Sequence, residues 1–233
     1  MSDQKPRRPH IVACTPTRGE MQHGFAFDLA NLIGYTAGVL GPKGLDLGLL
    51  FMVGTYIDQN RCDLAEEALK NPATTHVLFL DDDMRFPRTA VAQLLQHRKS
   101  VVGINYAHRI HPITPVAIKQ GTEKLVTGPD STGLEQVAAI GFGCLLIERT
   151  VFNVIPYPWF ESYFHPTEKR WIGEDVQFAA HCLDAKIPIY VDHDLSKECG
   201  HTGKHDFRLW DTPQWEKAPS VTEPEADRPV LVP

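Results

Sequence analysis

Apolar positions along the chain fall into short continuous runs separated by stretches with helical spacing. His10–Cys14 is one such run and predicts a first strand; Phe25, Leu29, Leu32 and Ile33 then recur at the spacing of one helix face. Leu49–Val53 predicts a second strand, and Asp58 to Lys70 a helix with Asp58 as N-cap and Leu64, Ala65, Ala68 and Leu69 inward. Val77-Leu78-Phe79-Leu80 has no polar alternation, the pattern of a strand buried on both faces. Pro87 suits a first helical position before Ala90–Arg98, and Ser100–Asn105 is again β-rich. Strand–helix–strand alternation of this kind predicts an α/β sandwich, a mainly parallel sheet with helices on both faces.

The second half is less regular. Val116–Ile118 and Gln136–Ile140 read as arms of a hairpin around the polar stretch Gly121–Gly133. Gly141-Phe142-Gly143 interrupts a strand ahead of Cys144–Ile147, a mark of close approach by ligand or backbone. Arg149–Val154 predicts a short helix, and Val176, Ala179, Ala180 and Leu183 the core face of another, running from Glu174 to about Ala185. Ile187–Val191 predicts a strand. The segments Tyr106–Pro115 and Cys199–His205 read as polar loops, the latter flexible; Met1–Pro9 is expected to fray and Pro213–Pro233 to be a disordered tail.

Composition adds boundaries. At 233 residues, 42% hydrophobic and 22% charged, the chain is expected to be a soluble globular protein of one domain over 1–210 with a Pro- and acid-rich tail over 211–233. No apolar run reaches membrane-spanning length, MSDQKPRRPH has no signal-peptide core, and five cysteines without close pairing suit reduced thiols and a cytoplasmic home. A net charge of −6 does not suit a general nucleic-acid binder, yet Met84–Thr122 contains no acid and holds Arg85, Arg88, Arg98, Lys99, Arg109 and Lys119. That segment is read either as facing phosphates or as a solvated face, the second being favoured for Arg98 and Lys99.

The chemistry centres on Thr75–Pro87, where the buried strand ends in Asp81, Asp82 and Asp83. Clustered carboxylates repel and are costly to desolvate, and a divalent cation removes that cost. Asp81 and Asp83 alternate onto one side of an extended chain, the arrangement that holds Mg²⁺ or Mn²⁺ with phosphates completing the shell. Thr15-Pro16-Thr17-Arg18-Gly19 after the first strand suits nucleotide binding at a sheet's carboxyl edge. Glu174 and Asp175 open a helix whose dipole keeps carboxylates ionised. The aromatic segment Tyr157, Trp159, Phe160, Tyr163 and Phe164 reads equally as core or as the lining of an acceptor pocket.

Taken in order, the Thr-Pro-Thr-Arg turn, the strand ending in Asp-x-Asp, the Gly-x-Gly strand, the Gly-Glu-Asp helix start and a late His-x-Gly loop resemble the GT-A fold glycosyltransferases, family 2-like, of the small stand-alone bacterial or phage type. The resemblance spans roughly Pro9 to Phe207 and implies a Rossmann-like α/β/α fold. It implies that Asp81, Asp83 and His201 hold Mn²⁺ or Mg²⁺, and that Thr15, Thr17, Arg18, Asp58, Arg61, Asp82 and Lys204 serve the nucleotide-sugar donor, a UDP-sugar by preference. Asp175 corresponds to the base of inverting members and Glu174 to its orienting neighbour; inversion is favoured, a retaining enzyme having no need of a base. The expected acceptor is a hydroxyl on a DNA base, a glycan or a protein, the hydroxymethylated bases of phage DNA among them, with the host cytoplasm as location if phage-encoded. The short chain argues against a processive or membrane-embedded synthase. Two alternatives stand beside this reading: a nucleotidyltransferase using the same aspartates, and a non-catalytic metal- or ligand-binding module, for instance with zinc on His193, Cys199, His201 and His205.

Overall fold

A computed structural model describes residues 8–109, 112–121, 123–203 and 206–212. Strand β1 (His10–Thr17) leads into α1 (His23–Tyr35), then one π turn and one 3-10 turn, before β2 (Asp46–Val53), α2 (Ile57–Lys70) and β3 (His76–Leu80). After the three aspartates come β4 (Met84–Arg85), α3 (Ala90–Gln96) and β5 (Val101–Gly103). The second half supplies β6 (Leu134–Val137), β7 (Cys144–Glu148), β8 (Tyr163–His165), β9 (Arg170–Ile172), α4 (Glu174–Asp184) and β10 (Ile189–Asp192). It ends in α5 (His193–Glu198), β11 (Gly200–Thr202) and β12 (Asp206–Phe207).

Seven strands form the central sheet in the order β2-β1-β3-β7-β5-β10-β6. β1 pairs parallel with β2 and β3, and β10 parallel with β5; β7 runs antiparallel between β3 and β5, and β6 antiparallel at the far edge. β1, β2, β3, β5 and β10 thus share one direction, so the sheet is mainly parallel as the alternation predicts.

Side chains alternate along the strands and so divide the core in two. Val12, Cys14, Val77 and Phe79 meet α2 and α4, through Leu64, Ala65, Ala68, Phe178, Ala179 and Cys182. Ile11, Ala13, Leu78 and Leu80 meet α1 and α3, through Phe25, Leu29, Leu32, Val91 and Leu94. Three layers result. All five cysteines are buried free thiols.

Several local expectations need correction. Ile33 is 37% exposed and Leu183 71%, because the inward face of α1 ends at Leu32 and that of α4 is set by the ring of Phe178 with Ala179 and Cys182. Tyr56, not Asp58, is the N-cap of α2, and Pro87 lies outside α3. The expected hairpin reduces to isolated bridges in which Ile118 lies between Lys124 and Ala139, while Leu134–Val137 joins the main sheet instead. Cys199–His205 is not a loop throughout: Cys199 is buried and Gly200–Thr202 is a strand. Of the expected tail, Asp211 and Thr212 belong to or follow a 3-10 turn over Leu209–Asp211; residues 213–233 lie outside the described residues.

The Gly141 and Gly143 signal also resolves differently, for the close neighbour is Tyr106. A Cβ on Gly141 would stand 2.3 Å from the Tyr106 hydroxyl, and one on Gly143 2.9 Å from its ring. Gly141→Ala is therefore expected to cost about 1–3 kcal/mol by overpacking, read as a lower melting temperature. Combining it with Tyr106→Phe, which removes the nearest atom, should recover part of that loss. Equal destabilisation by the single and double variants would discard the assignment.

Candidate functional site

The parallel pairing of β1 with β3, Cys14 opposite Phe79, brings the turn after β1 and the three aspartates to the same carboxyl edge of the sheet. A second, three-stranded sheet completes the site. β11 pairs antiparallel with β4, placing His201 opposite Met84, and the Thr202 N–H donates to the Asp83 carbonyl at 2.7 Å. A histidine far along the chain is thereby delivered to the aspartates. Between these elements lies a cleft of about 470 Å³, lined by Thr17, Arg18, Asn60, Arg61, all three aspartates, Arg109 and His201 among others.

Arg61 forms the floor. Only 3% exposed, its guanidinium lies 4.7 Å from the Phe142 ring centroid and 5.5 Å from that of Phe79. Its Nη2 donates to Asp81 Oδ1 at 2.9 Å and its Nε to Glu174 Oε1 at 3.2 Å. One buried cation thus joins the strand-end aspartate to the acid that begins α4. Burial opposes the Arg61 charge, but Asp81 and Glu174 outweigh it and raise its pKa. Burial pushes the Glu174 carboxyl up, Arg61 pulls it down and Asp175 pushes it up again, leaving it above its ordinary value.

Asp83 has a different set of neighbours. Arg109 Nη1 lies 2.7 Å from its Oδ2 and also donates to the Thr202 carbonyl at 3.1 Å. His201 Nε2 stands 3.3 Å from Asp83 Oδ1, an atom that is buried without a hydrogen-bond partner. The other ring nitrogen, Nδ1, meets the Ala107 carbonyl at 3.0 Å and must carry a proton to bond there. Nε2 and Asp83 Oδ1 are thereby turned toward each other, a nitrogen and an oxygen that one divalent cation could bind together. Burial would raise the Asp83 carboxyl, but His201 and Arg109 hold it below its ordinary value.

As a donor set, Asp83 and His201 fit a divalent cation that takes one or two protein ligands and completes its shell with phosphate and water. Asp81 is turned to Arg61 instead, and among the described residues no three His, Cys, Asp or Glu side chains converge as a ready-made metal cage. The zinc arrangement does not gather here either: His193 is hydrogen-bonded with Thr127 and Glu135, and Cys199 is buried in the core between sheet and helices. His205 lies outside the described residues.

The other sequence-derived positions divide. Thr17, Arg18 and Asp82 line the cleft. The Thr17 hydroxyl accepts from the Gly19 N–H at 3.1 Å and bonds to Asp82, whose carboxyl is raised by burial and partly lowered again by that bond. Thr15 is 1% exposed within β1 and Asp58 accepts from the Ser162 N–H at 3.2 Å; both lie outside the cleft lining. Lys204 is outside the described residues. Asp175 accepts from the Val176 N–H at 2.8 Å and has no ion-pair partner among the described residues; its charge acts on Tyr106, His108 and Lys124.

Arg109, left open by the sequence, lines the cleft, and no sequence pattern marks Asn60 in the same lining or Tyr106 against the His201 ring. No sequence signal marks the Arg61–Glu174 pair, whose members are 113 residues apart. The acid-free stretch does not offer a shared basic face: Arg85 pairs with Asp28 at 2.6 Å, Arg109 with Asp83, and Arg88 and Lys99 lie over Tyr35 and Tyr190. The aromatic segment splits, Phe160 entering the core while Tyr157 at 60% exposure, Tyr163 at 36% and Phe164 at 48% face outward.

No family model matches the chain, and no curated protein matches it in sequence. Solved structures do. Protein A197 of STIV superposes with a TM-score of 0.54 at 17% identity, over 83% of this chain and 86% of that one. GalNAc-T7, solved with UDP, GalNAc and Mn²⁺, gives a TM-score of 0.51 at 12% identity, over 89% of this chain. The match spans 45% of the GalNAc-T7 chain, less than half its length. At these identities the likeness is one of fold, and the fold is GT-A-like. No helix among the described residues is long and apolar enough to cross a membrane.

Proposed function

We propose that the protein is a metal-dependent glycosyltransferase that moves a sugar from a nucleoside diphosphate sugar, a UDP-sugar by preference, to an acceptor hydroxyl. The observation that supports this reading is Asp83 Oδ1, buried without a hydrogen-bond partner and 3.3 Å from His201 Nε2, in a cleft shared with Thr17 and Arg18. Asp83 and His201, with Asp81 beside them, would hold Mn²⁺ or Mg²⁺, whose positive charge would stabilise a leaving diphosphate. Thr17, Arg18 and Asp82 bind and orient the nucleotide, with Lys204 the expected further cation. Asp175 takes the proton of the incoming hydroxyl, so that the displacement inverts. Glu174, locked to Arg61, keeps the start of α4 in register with the aspartates. The acceptor class remains a hydroxyl on a DNA base, a glycan or a protein.

A thermal-shift series of nucleoside diphosphates with and without Mn²⁺ tests the donor half, since ligand binding to the folded state raises the melting temperature. A metal-dependent rise with UDP is expected; no metal-dependent rise with any diphosphate would reject the reading. Released UDP rather than pyrophosphate separates it from nucleotidyl transfer. Asp175→Asn should leave that rise intact and lower kcat about 10²- to 10⁴-fold, the range for a lost general base. A variant with unaltered kcat would remove Asp175 from the mechanism.

A further inference from the structure

Arg109 is placed where a cation on Asp83 would have to compete. Its Nη1 is 2.7 Å from Asp83 Oδ2, on the same carboxylate whose Oδ1 faces His201. The guanidinium is tethered lightly, by one further bond to the Thr202 carbonyl, and its side chain is 43% exposed. Arg61, by contrast, is 3% exposed and clasped between two acids and two rings. The two arginines that meet the Asp-x-Asp pair therefore differ in kind. One is fixed in the floor, and the other is at the rim and free to leave.

We infer that Arg109 is a built-in counter-cation of Asp83, which yields the carboxylate to a divalent metal and thereby becomes available to the diphosphate in the same cleft. This rests on the function proposed above and adds to it a residue that couples metal to nucleotide. The physical basis is charge balance. The Asp83 side chain is only 15% exposed, and Arg109 at 2.7 Å balances its charge while no metal does. A metal arriving alone must displace that pair and leaves Arg109 without an anionic partner. A metal arriving with a diphosphate gives Arg109 an anion in exchange. Metal and nucleotide should therefore bind with positive coupling, and by reciprocity each tightens the other equally.

The test is Mn²⁺ binding to the full chain, followed by electron paramagnetic resonance of the free ion, with and without UDP. Wild type should bind Mn²⁺ weakly alone and more tightly with UDP, by a factor in the roughly 5- to 150-fold range of such couplings. Arg109→Gln should bind Mn²⁺ alone about tenfold more tightly and lose most of the UDP effect. Arg109→Lys keeps the charge and should stay near wild type; Arg88→Gln removes a charge of the same acid-free stretch that lies over Tyr35, outside the cleft lining, and should leave the coupling in place. Melting curves establish that each variant is folded. Unchanged or weaker Mn²⁺ binding by Arg109→Gln, or an equal gain in Arg88→Gln, overturns the role of Arg109 while the glycosyltransferase reading stands. Absence of Mn²⁺ binding by wild type even with UDP overturns both.

Discussion

Arg61→Met is expected to destabilise the protein by about 3–5 kcal/mol, the cost of removing one partner from a buried ion-pair system. For a chain of this size that lowers the melting temperature by roughly 2–4 °C per kcal/mol. Methionine keeps an unbranched apolar side chain beneath the place where the guanidinium lies over Phe79 and Phe142, so the loss reports mainly charge rather than a cavity. What remains is two acids, Asp81 and Glu174, with side chains 24% and 15% exposed and no cation between them. Arg61→Lys should fail to restore stability, because an ammonium cannot present the fork that reaches both carboxylates.

The pH dependence of this variant follows with a definite sign. Burial already raises Glu174 above the ordinary value of 4.5, and losing Arg61 removes the group that opposes it. A folded state that holds a proton more tightly than the unfolded chain is favoured as pH falls. The deficit of Arg61→Met should therefore be largest near neutral pH and shrink as pH falls from the raised Glu174 pKa toward 4.5. Denaturant melts at several pH values measure this. A deficit that grows on acidification would show that Glu174 does not need Arg61.

Asp83→Asn is expected to leave the fold nearly unchanged and to abolish metal-dependent nucleotide binding. Its contacts are Arg109 at the rim and His201, neither of which is left sealed in the core by the change. Loss of the carboxylate charge removes a ligand from the Asp83–His201 pair, and sugar transfer should fall by about 10²–10³-fold or more, as when one group that stabilises developing charge is removed. Asp81→Asn should behave in the opposite manner. Asp81 meets Arg61, so that variant weakens the floor and should cost more stability than Asp83→Asn does. A thermal-shift assay with and without Mn²⁺ and UDP separates the two failures. Retention of the metal-dependent shift by Asp83→Asn would reject Asp83 as a ligand.

How much of this was legible depends on range. β3 was readable because Val77–Leu80 is apolar on both faces, and helices α1 and α2 because their inward residues repeat within a few turns. Three carboxylates at the end of a buried strand carry their own chemical argument, so Asp81–Asp83 stood out without any partner in view. The faces of α4 were misjudged because the choice between Phe178 and Leu183 is made by packing against Phe142 and Phe160, which no spacing reveals. β4 and β11 escaped notice because strands of two and three residues carry no periodicity. Asp58 looked like a cap by type and position, but its carboxylate is claimed by Ser162, 104 residues away. Arg109 was visible only as a cation in a histidine-bearing loop; its contact with Asp83 is purely a matter of tertiary geometry.

The clasp of β11 on β4 has a consequence in time as well as space. Asp83 leaves the ribosome long before His201, and the backbone link between them forms when Gly200–Thr202 lies down beside Met84–Arg85. The chain up to Glu198 contains every strand of the central sheet, since β10 closes at Asp192. It possesses a scaffold with acids at its edge and no histidine to meet them. Chain order therefore places His201, the histidine that faces Asp83, after every strand of the central sheet.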